Sequence, residues 1–430
     1  MNEPTIPALT APPPRRDNPL IRSKTGIVGL VFLFLMLALC LGSMPWTMGR
    51  TAVADGSATG PQRFSAGQAD RGRLSPAWWP KRDEEILRLN AFIPAEQVEA
   101  IAARHGLTQR QTLETTSGPI LRDLRAHWPR YFLGTDVLGR SLLIRLLTGG
   151  GISLVIGIAA ALLSVCIGTL YGAFAAYIGG TVDAVMMRIV DILYGLPYIL
   201  LVVLLAVASD AALDNYITKQ GPRQRFIHQE ARAHAIANNL DHGREDIREL
   251  LDTNADLRER LMQEAGERFP PARISEERRM LFDVGILLIA IGGVSWLTMA
   301  RVIRGQVLSL KAQPFMEAAR AMGVPWIGQF FRHLLPNILG PIIVYATLTV
   351  PQAILQESFL SFLGIGVKPP LPSWGNLAAE GLPELNPFRS YWWLLLFPCL
   401  MLATTLLALN FVGEGLREAF DPKRSVRTRR

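Results

Sequence analysis

The chain has 430 residues, half of them hydrophobic, and yet it carries a formal net charge of +8. A single soluble core does not explain this combination, so apolar and charged residues must be segregated along the chain. The composition therefore excludes an ordinary soluble globular protein.

Six apolar runs are long enough to cross roughly 30 Å of hydrocarbon as helices. They are Thr25 to Met44, Ile152 to Ile178, Ile189 to Ala208, Leu281 to Ala300, Ile338 to Leu360 and Tyr391 to Val412. Because only a helix satisfies its own backbone in lipid, the predicted fold class is all-α, a polytopic membrane protein with six transmembrane helices.

The first run is predicted to be a retained anchor at 25–48. Gly42-Ser43-Met44 is a poor match to a signal-peptide cleavage site, and the run is long for such a segment. The three cysteines all lie inside predicted spans, where they behave as small hydrophobes, so no disulfide framework is expected.

Basic residues predict the orientation of the chain. Positive charge concentrates in residues 1–24, in the loop 300–337 and in the tail 413–430, and short basic segments stay in the cytoplasm. The polar segments 49–151 and 209–280 then lie outside the cell membrane. The transmembrane domain proper is predicted at 152–412, with 209–280 as an extracytoplasmic insert and 300–337 as a cytoplasmic loop.

The insert 209–280 alternates charge sign, and its leucines recur at helical spacing, which predicts an amphipathic helical hairpin. A solvated insert without a binding role explains the same pattern. His228, His234 and His242 have no ligand spacing of a closed site, so we expect no metal.

The loop 300–337 contains a short predicted helix that begins near Pro314 and ends near Gly323. Proline suits the first helical position, and glycine suits a left-handed cap. Phe315, Ala318, Ala319 and Met322 recur every three or four residues and predict an apolar face. Pro325 is expected to begin a second helix and Pro336 to end it. A partner-binding helix and a helix lying on the membrane surface both remain open on these grounds.

The string Glu317-Ala318-Ala319, followed by Gly323 and then by Leu335-Pro336, resembles the EAA motif of ABC importer permeases. Arg332-His333 before Leu-Leu-Pro336-Asn337 resembles the form of the dipeptide and oligopeptide branch. The resemblance implies a type I importer fold and a coupling helix that docks on an ATP-hydrolysing subunit. The implied coupling residues are Phe315, Glu317, Ala318, Ala319, Met322, Gly323, His333 and Pro336.

Other segments fit the same branch and its second type of membrane subunit. They include Leu133 to Asp136, Leu138 to Arg140, Ser361 to Gly364, Pro372 to Asn376, and Asp421-Pro422. In this family, the implied partners are a second homologous permease, two ATP-binding subunits, an extracytoplasmic solute-binding protein and the lipid bilayer. Di- and oligopeptides are the implied substrates; nickel or oligosaccharides are the alternatives in the same superfamily.

Polar side chains in the fifth span are candidates for a translocation pathway, because polar groups in lipid tend to face the bundle interior. Thr349, Gln352 and Gln356 share one helical side, and Glu357 lies beside them. Glu357 could instead fix the turn 361–366. Asp191 is predicted to pair with Arg188 near the membrane boundary.

Catalytic strings are absent from the sequence. It contains no G-x-x-x-x-G-K-[ST] loop for ATP, no H-E-x-x-H and no G-x-S-x-G, so we expect no catalytic residue and no cofactor. Nothing predicts nucleic-acid binding. A membrane scaffold whose working part is the insert 209–280 is the remaining alternative.

Overall fold

The computed structural model describes residues 24–51, 60–238, 240–241, 243–270 and 276–420. Within these ranges the chain is helical, and its β-structure is limited to isolated bridges. The Pro-rich start of the chain and the basic residues after Phe420 lie outside the described residues.

Seventeen α-helices are numbered here in chain order within that described part. They are α1 Lys24–Thr47, α2 Asp83–Asn90, α3 Ala95–His105, α4 Gln109–Leu113, α5 Gly118–Ala126, α6 Leu142–Ile178, α7 Gly180–Gly195, α8 Tyr198–Thr218, α9 Gln220–Ala237, α10 Arg244–Thr253, α11 Ala255–Arg268, α12 Glu276–Lys311, α13 Pro314–Ala321, α14 Trp326–Gln329, α15 Leu335–Phe362, α16 Trp374–Gly381 and α17 Trp393–Phe420.

Six stretches of the described chain are long and apolar enough to cross a membrane, which confirms the predicted fold class. They are Thr25–Thr47, Leu142–Ile178, Ile199–Tyr216, Arg278–Lys311, Trp326–Phe362 and Trp393–Ala419. Each contains one of the predicted apolar runs or overlaps with it.

The second span begins ten residues before the predicted Ile152, at Leu142, so residue 151 lies inside α6. The ten added residues include one charged side chain, Arg145. In the structure Arg145 is buried, and it donates hydrogen bonds to Asp136 (2.7 Å) and to Glu380 of α16 (2.9 Å). A paired guanidinium can lie in such a helix, where an unpaired one would not be tolerated.

The third span differs from the predicted 189–208, because the chain breaks between α7 and α8 at Leu196 and Pro197. Proline lacks the backbone N–H that would continue the helix, and it disfavours helical backbone in the residue before it. The apolar run therefore covers two helices, and the span-length part is 199–216.

The fifth span also begins earlier than predicted. A π-helical segment, Phe330–Leu334, joins α14 to α15, so the helix runs on through Pro336. The prediction that Pro336 ends a separate helix is wrong. Immediately before Pro336 the helix makes a π-turn, in which the N–H of Leu335 bonds to the carbonyl of Phe330. This wider turn lets the helix continue through Pro336, although proline has no backbone N–H.

Glycines allow the central helix α6 to lie close to its neighbours. A Cβ atom on Gly172 would lie 2.2 Å from the carbonyl oxygen of Ala300 on α12, and one on Gly157 would lie 2.2 Å from the side chain of Ile354 on α15. Small residues at these crossings bring backbones together, which is how helices associate in lipid.

The polar segments form two small helical units. Helices α2 to α5 enclose a core of Ile93, Val98, Ile101 and Leu124. The insert contains three helices, α9 to α11, around Ala231, Ile247 and Leu261. The leucine-rich stretch of the predicted hairpin forms α10 and α11, and α9 adds a third helix that the prediction did not include.

Replacing Arg145 by alanine should destabilise the folded protein by about 3 kcal/mol, because buried Asp136 would lose one of its two arginine partners and Glu380 would lose the nearer of its two. The midpoint of thermal unfolding of the detergent-solubilised chain measures this effect. Arg110→Ala is the matched control, since Arg110 pairs with Glu114 on an exposed helix face. An equal shift in both variants would contradict the role given to Arg145.

Candidate functional site

The loop helix α13 is bounded by the two predicted residues. Pro314 occupies its first turn, and Gly323 follows it in a left-handed conformation with φ of +72°. The N–H of Gly323 bonds to the carbonyl of Arg320 (2.9 Å), and that of Val324 bonds to the carbonyl of Ala319 (3.1 Å). These two bonds form a Schellman cap, so the chain reverses sharply after α13.

The two faces of α13 differ in burial. Met316 and Ala319 are buried, with Ala319 only 1% exposed, and Met316 packs in a cluster with Val307 and Leu334. Phe315, Ala318 and Met322 are exposed, and Met322 is 74% exposed. Ala319 therefore lies on the inner face and not on the predicted apolar surface, whereas Glu317 and Gly323 are exposed beside it.

Side chains that the sequence analysis did not identify fasten this loop to the bundle. Tyr177, at the end of α6, donates its hydroxyl to Gln329 Oε1 (3.0 Å), and Gln329 Nε2 donates to the carbonyl of Val324 (2.7 Å). Lys311 Nζ donates to the carbonyl of Tyr177 (2.6 Å). The loop is thus attached to the ends of the second, fourth and fifth spans.

His333 and Pro336 lie on the other side of the loop, where the fifth span starts. His333 is half-buried in the π-helical segment, and its carbonyl accepts a hydrogen bond from Asn337 Nδ2 (2.6 Å). Pro336 is exposed in the first turn of α15. Both belong to the helix that rises from the loop rather than to α13.

Thr349, Gln352 and Gln356 line a cavity of about 550 Å³ between α7, α12 and α15. The remaining lining residues are Leu193, Tyr194, Leu196, Val294, Ser295, Leu297, Thr298, Met299, Tyr345 and Leu348. The lining thus combines apolar side chains with hydroxyls and amides, and it contains no charged residue. Such a surface can hydrogen-bond a polar solute without requiring a particular charge.

Glu357 does not line this cavity. Its side chain is completely buried and accepts hydrogen bonds from Ser361 Oγ (2.7 Å) and Ser358 Oγ (3.3 Å). Ser361 Oγ in turn accepts the N–H of Val367 (3.0 Å). Glu357 therefore holds the turn after α15, which was the structural alternative for this residue.

Arg301 of α12 contacts two residues of α7, the helix whose end lines the cavity. Its guanidinium carbon lies 4.1 Å from the centre of the Tyr194 ring, and its Nη2 donates to Asp191 Oδ1 (2.9 Å). Asp191 thus pairs with Arg301 rather than with the predicted Arg188. Sequence spacing pointed to the nearest arginine along the helix, whereas the observed partner comes from another span.

Among the described residues no group of His, Cys, Asp and Glu side chains has the arrangement of a metal site. The chain offers instead a helical membrane bundle, a central cavity and a short helix fixed at one end of three spans. These features define a membrane subunit of a transport system.

The chain belongs to the family of binding-protein-dependent transport system inner membrane components, whose profile matches residues 168–426. It is therefore a multi-pass inner-membrane protein.

Three curated relatives are similar over most of their length. The oligopeptide transport system permease protein OppC of Escherichia coli K12 is 39% identical over 68% of this chain and 72% of its own. OppC of Haemophilus influenzae is 38% identical over 68% and 70%, and the dipeptide transport system permease protein DppC of Bacillus subtilis is 35% identical over 73% of both chains. The predicted family is confirmed.

Proposed function

We propose that the protein is a permease subunit of an ATP-driven, binding-protein-dependent importer of di- and oligopeptides. The observation that carries this proposal is α13, a capped helix that exposes an apolar face while its other face is packed against the spans. The names of the relatives support peptides as the substrate class and do not favour nickel or oligosaccharides.

The proposed partners follow from this role. A second homologous permease completes the pathway, and an extracytoplasmic binding protein delivers peptide. Each of two ATP-binding subunits binds one loop helix, α13 of this chain or its counterpart in the second permease. ATP is bound and hydrolysed by the partner subunits, since this sequence lacks the phosphate-binding loop. The chain itself performs no covalent step.

The exposed face of α13 supports docking on an ATPase subunit. Burying Phe315 and Met322 would stabilise the contact by about 25 cal/mol per Å² of apolar surface, and Ala318 between them allows close approach. Motion of the partner would then reach the cavity through Tyr177, Gln329 and Lys311, because these side chains join the loop to three spans.

A photoreactive residue at position 318 should crosslink to the ATP-binding subunit in the assembled complex. The same residue at position 319 should not, because that side chain points into the protein. The adducts can be identified by mass spectrometry with and without nucleotide. Adducts of position 318 with lipid or with the second permease alone, in every nucleotide state, would disprove the coupling role.

The cavity lined by Thr349, Gln352 and Gln356 supports a peptide pathway, because amides and hydroxyls can bind peptide groups whatever the side chains of the substrate. Glu357 has no part in this pathway, since its carboxylate is occupied by serines.

Gln352→Phe should reduce uptake of a radiolabelled alanine tripeptide at least tenfold, because the larger ring would fill part of the cavity. Ile343→Phe is the matched control, since residue 343 lies nine positions earlier on the same helix and hence on its opposite side. Membrane abundance of both variants is checked by immunoblotting. Normal uptake by the Gln352 variant would rule out this pathway.

Both chain ends and the loop 300–337 are proposed to lie in the cytoplasm, with 60–130 and the insert outside. The basic residues of the three proposed cytoplasmic segments support this orientation. The insert is then exposed to the binding protein and to the solvent outside.

A cysteine at position 240, in a variant whose three native cysteines are replaced by alanine, should react with an impermeant maleimide added to intact spheroplasts. A cysteine at position 318 should react only after permeabilisation. Leu240 and Ala318 are both exposed, so access alone decides the result. The reverse pattern would overturn the orientation.

A further inference from the structure

A group of tryptophans joins the segment that contains α2 to α5 to the start of the sixth span. The ring centres of Trp79 and Trp392 lie 4.9 Å apart, and Trp78 contacts both rings, at 5.9 and 6.4 Å. Trp392 also contacts Phe397, the fifth residue of α17, at 5.9 Å. The aromatic group therefore lies where α17 enters the membrane.

The exposed face of α17 on this side of the bundle is apolar. Trp392 is followed along one face of α17 by the exposed side chains of Leu396, Leu400 and Leu407. The central cavity is lined by α7, α12 and α15, and none of its lining residues belongs to α1 or α17. A second permease that closed the cavity would thus leave the face of α17 in contact with the bilayer.

Several large rings remain exposed beside the aromatic group. Trp78 is 52% exposed, and Phe132 is 63% exposed. Tryptophan rings are amphipathic and concentrate where hydrocarbon meets the lipid head groups. Their position next to the start of a span supports the same depth for Trp78 and Phe132.

A cleft of about 710 Å³ opens beside these rings. Lys81, Arg125 and Arg130 are among its lining residues, together with Trp78, Trp128 and Phe132, and no acidic residue lines it. Arg125 lies with its guanidinium carbon 5.5 Å from the centre of the Trp128 ring. The cleft is therefore cationic and aromatic.

The two arginines supply the available charge. Lys81 is already occupied, because its Nζ donates to the carbonyls of Ser75 (2.7 Å) and Pro76 (3.0 Å) and pairs with Glu85 at 3.2 Å. Burial lowers the pKa of Lys81, and the nearby charge of Arg125 lowers it further, against the opposing effect of Glu85. Arg125 and Arg130 are exposed, and no carboxylate pairs with either among the ion pairs of the described chain.

We propose that this cleft binds the head group of an anionic phospholipid from the adjoining leaflet. Arg125 and Arg130 contact the phosphate, since guanidinium groups bind phosphate through paired hydrogen bonds. Trp78, Trp79 and Phe132 lie against the glycerol region and the upper acyl chain. A lipid fits the site better than a soluble anion, because Trp78 and Trp79 of the cleft contact Trp392, which precedes the exposed apolar face of α17.

Binding of phosphatidylglycerol to the purified full chain can be measured by native mass spectrometry in a neutral detergent. The double variant Arg125→Gln/Arg130→Gln should bind phosphatidylglycerol more weakly, by about fivefold for each arginine removed. Arg125→Lys with Arg130→Lys should retain most of the affinity, which separates charge from folding. Binding of phosphatidylcholine should change little in either variant.

Arg104→Gln with Arg122→Gln is the matched control, because it removes the same charge from exposed positions that do not line the cleft. Equal loss in the control, or unchanged binding in the Arg125 and Arg130 variant, would overturn the proposal. Glycerol phosphate at millimolar concentration should not displace the lipid; displacement would assign the cleft to a soluble anion.

A photoreactive residue at position 132 tests the same surface in native membranes. It should form adducts with phospholipid. Adducts with protein alone would show that a partner subunit covers this face, and the lipid assignment would be wrong.

Discussion

Hydrocarbon offers no hydrogen-bond partner to the backbone, and the whole bundle is arranged under that constraint. Each apolar run becomes a helix because a helix bonds its own amides internally. The break between α7 and α8 occurs at Leu196, which lines the central cavity. Non-helical backbone is tolerated at membrane depth where it borders a cavity or lies within protein, so the break lies in a permitted place.

Charged side chains in the bundle follow the same rule. Arg145 reaches both Asp136 and Glu380 and so joins the start of α6 to the short helix α16. Arg301 pairs with Asp191 and covers the Tyr194 ring. Each of these cations connects two elements that are distant in sequence. These ion pairs therefore hold separate segments of the bundle together, in addition to lying near the ends of spans.

Much of the fold could be predicted from the sequence, because hydrophobic length and the proline and glycine at the ends of α13 are local features. The failures involve information that is not local. Arg145 lies outside the predicted run, and nothing near it in the sequence shows that it pairs with Glu380, which lies 235 residues away. Ala318 and Ala319 fit an apolar stripe equally well, and only packing against the bundle shows which one is buried. For Glu357 the sequence leaves a pathway role and the turn 361–366 both open, and only its serine partners decide between them.

Helix α8 is followed by the insert with only Lys219 between α8 and α9. At 1.5 Å per residue the 21 residues of α8 are about 32 Å long. A tilt of α8 by about 10° around its start at Pro197 would move the far end by roughly 5 Å, and the three-helix insert would move with it. Small rotations of α8 would in that case appear as larger displacements of the insert, and a pair of dyes placed on α10 and α2 would report them as a change in energy transfer.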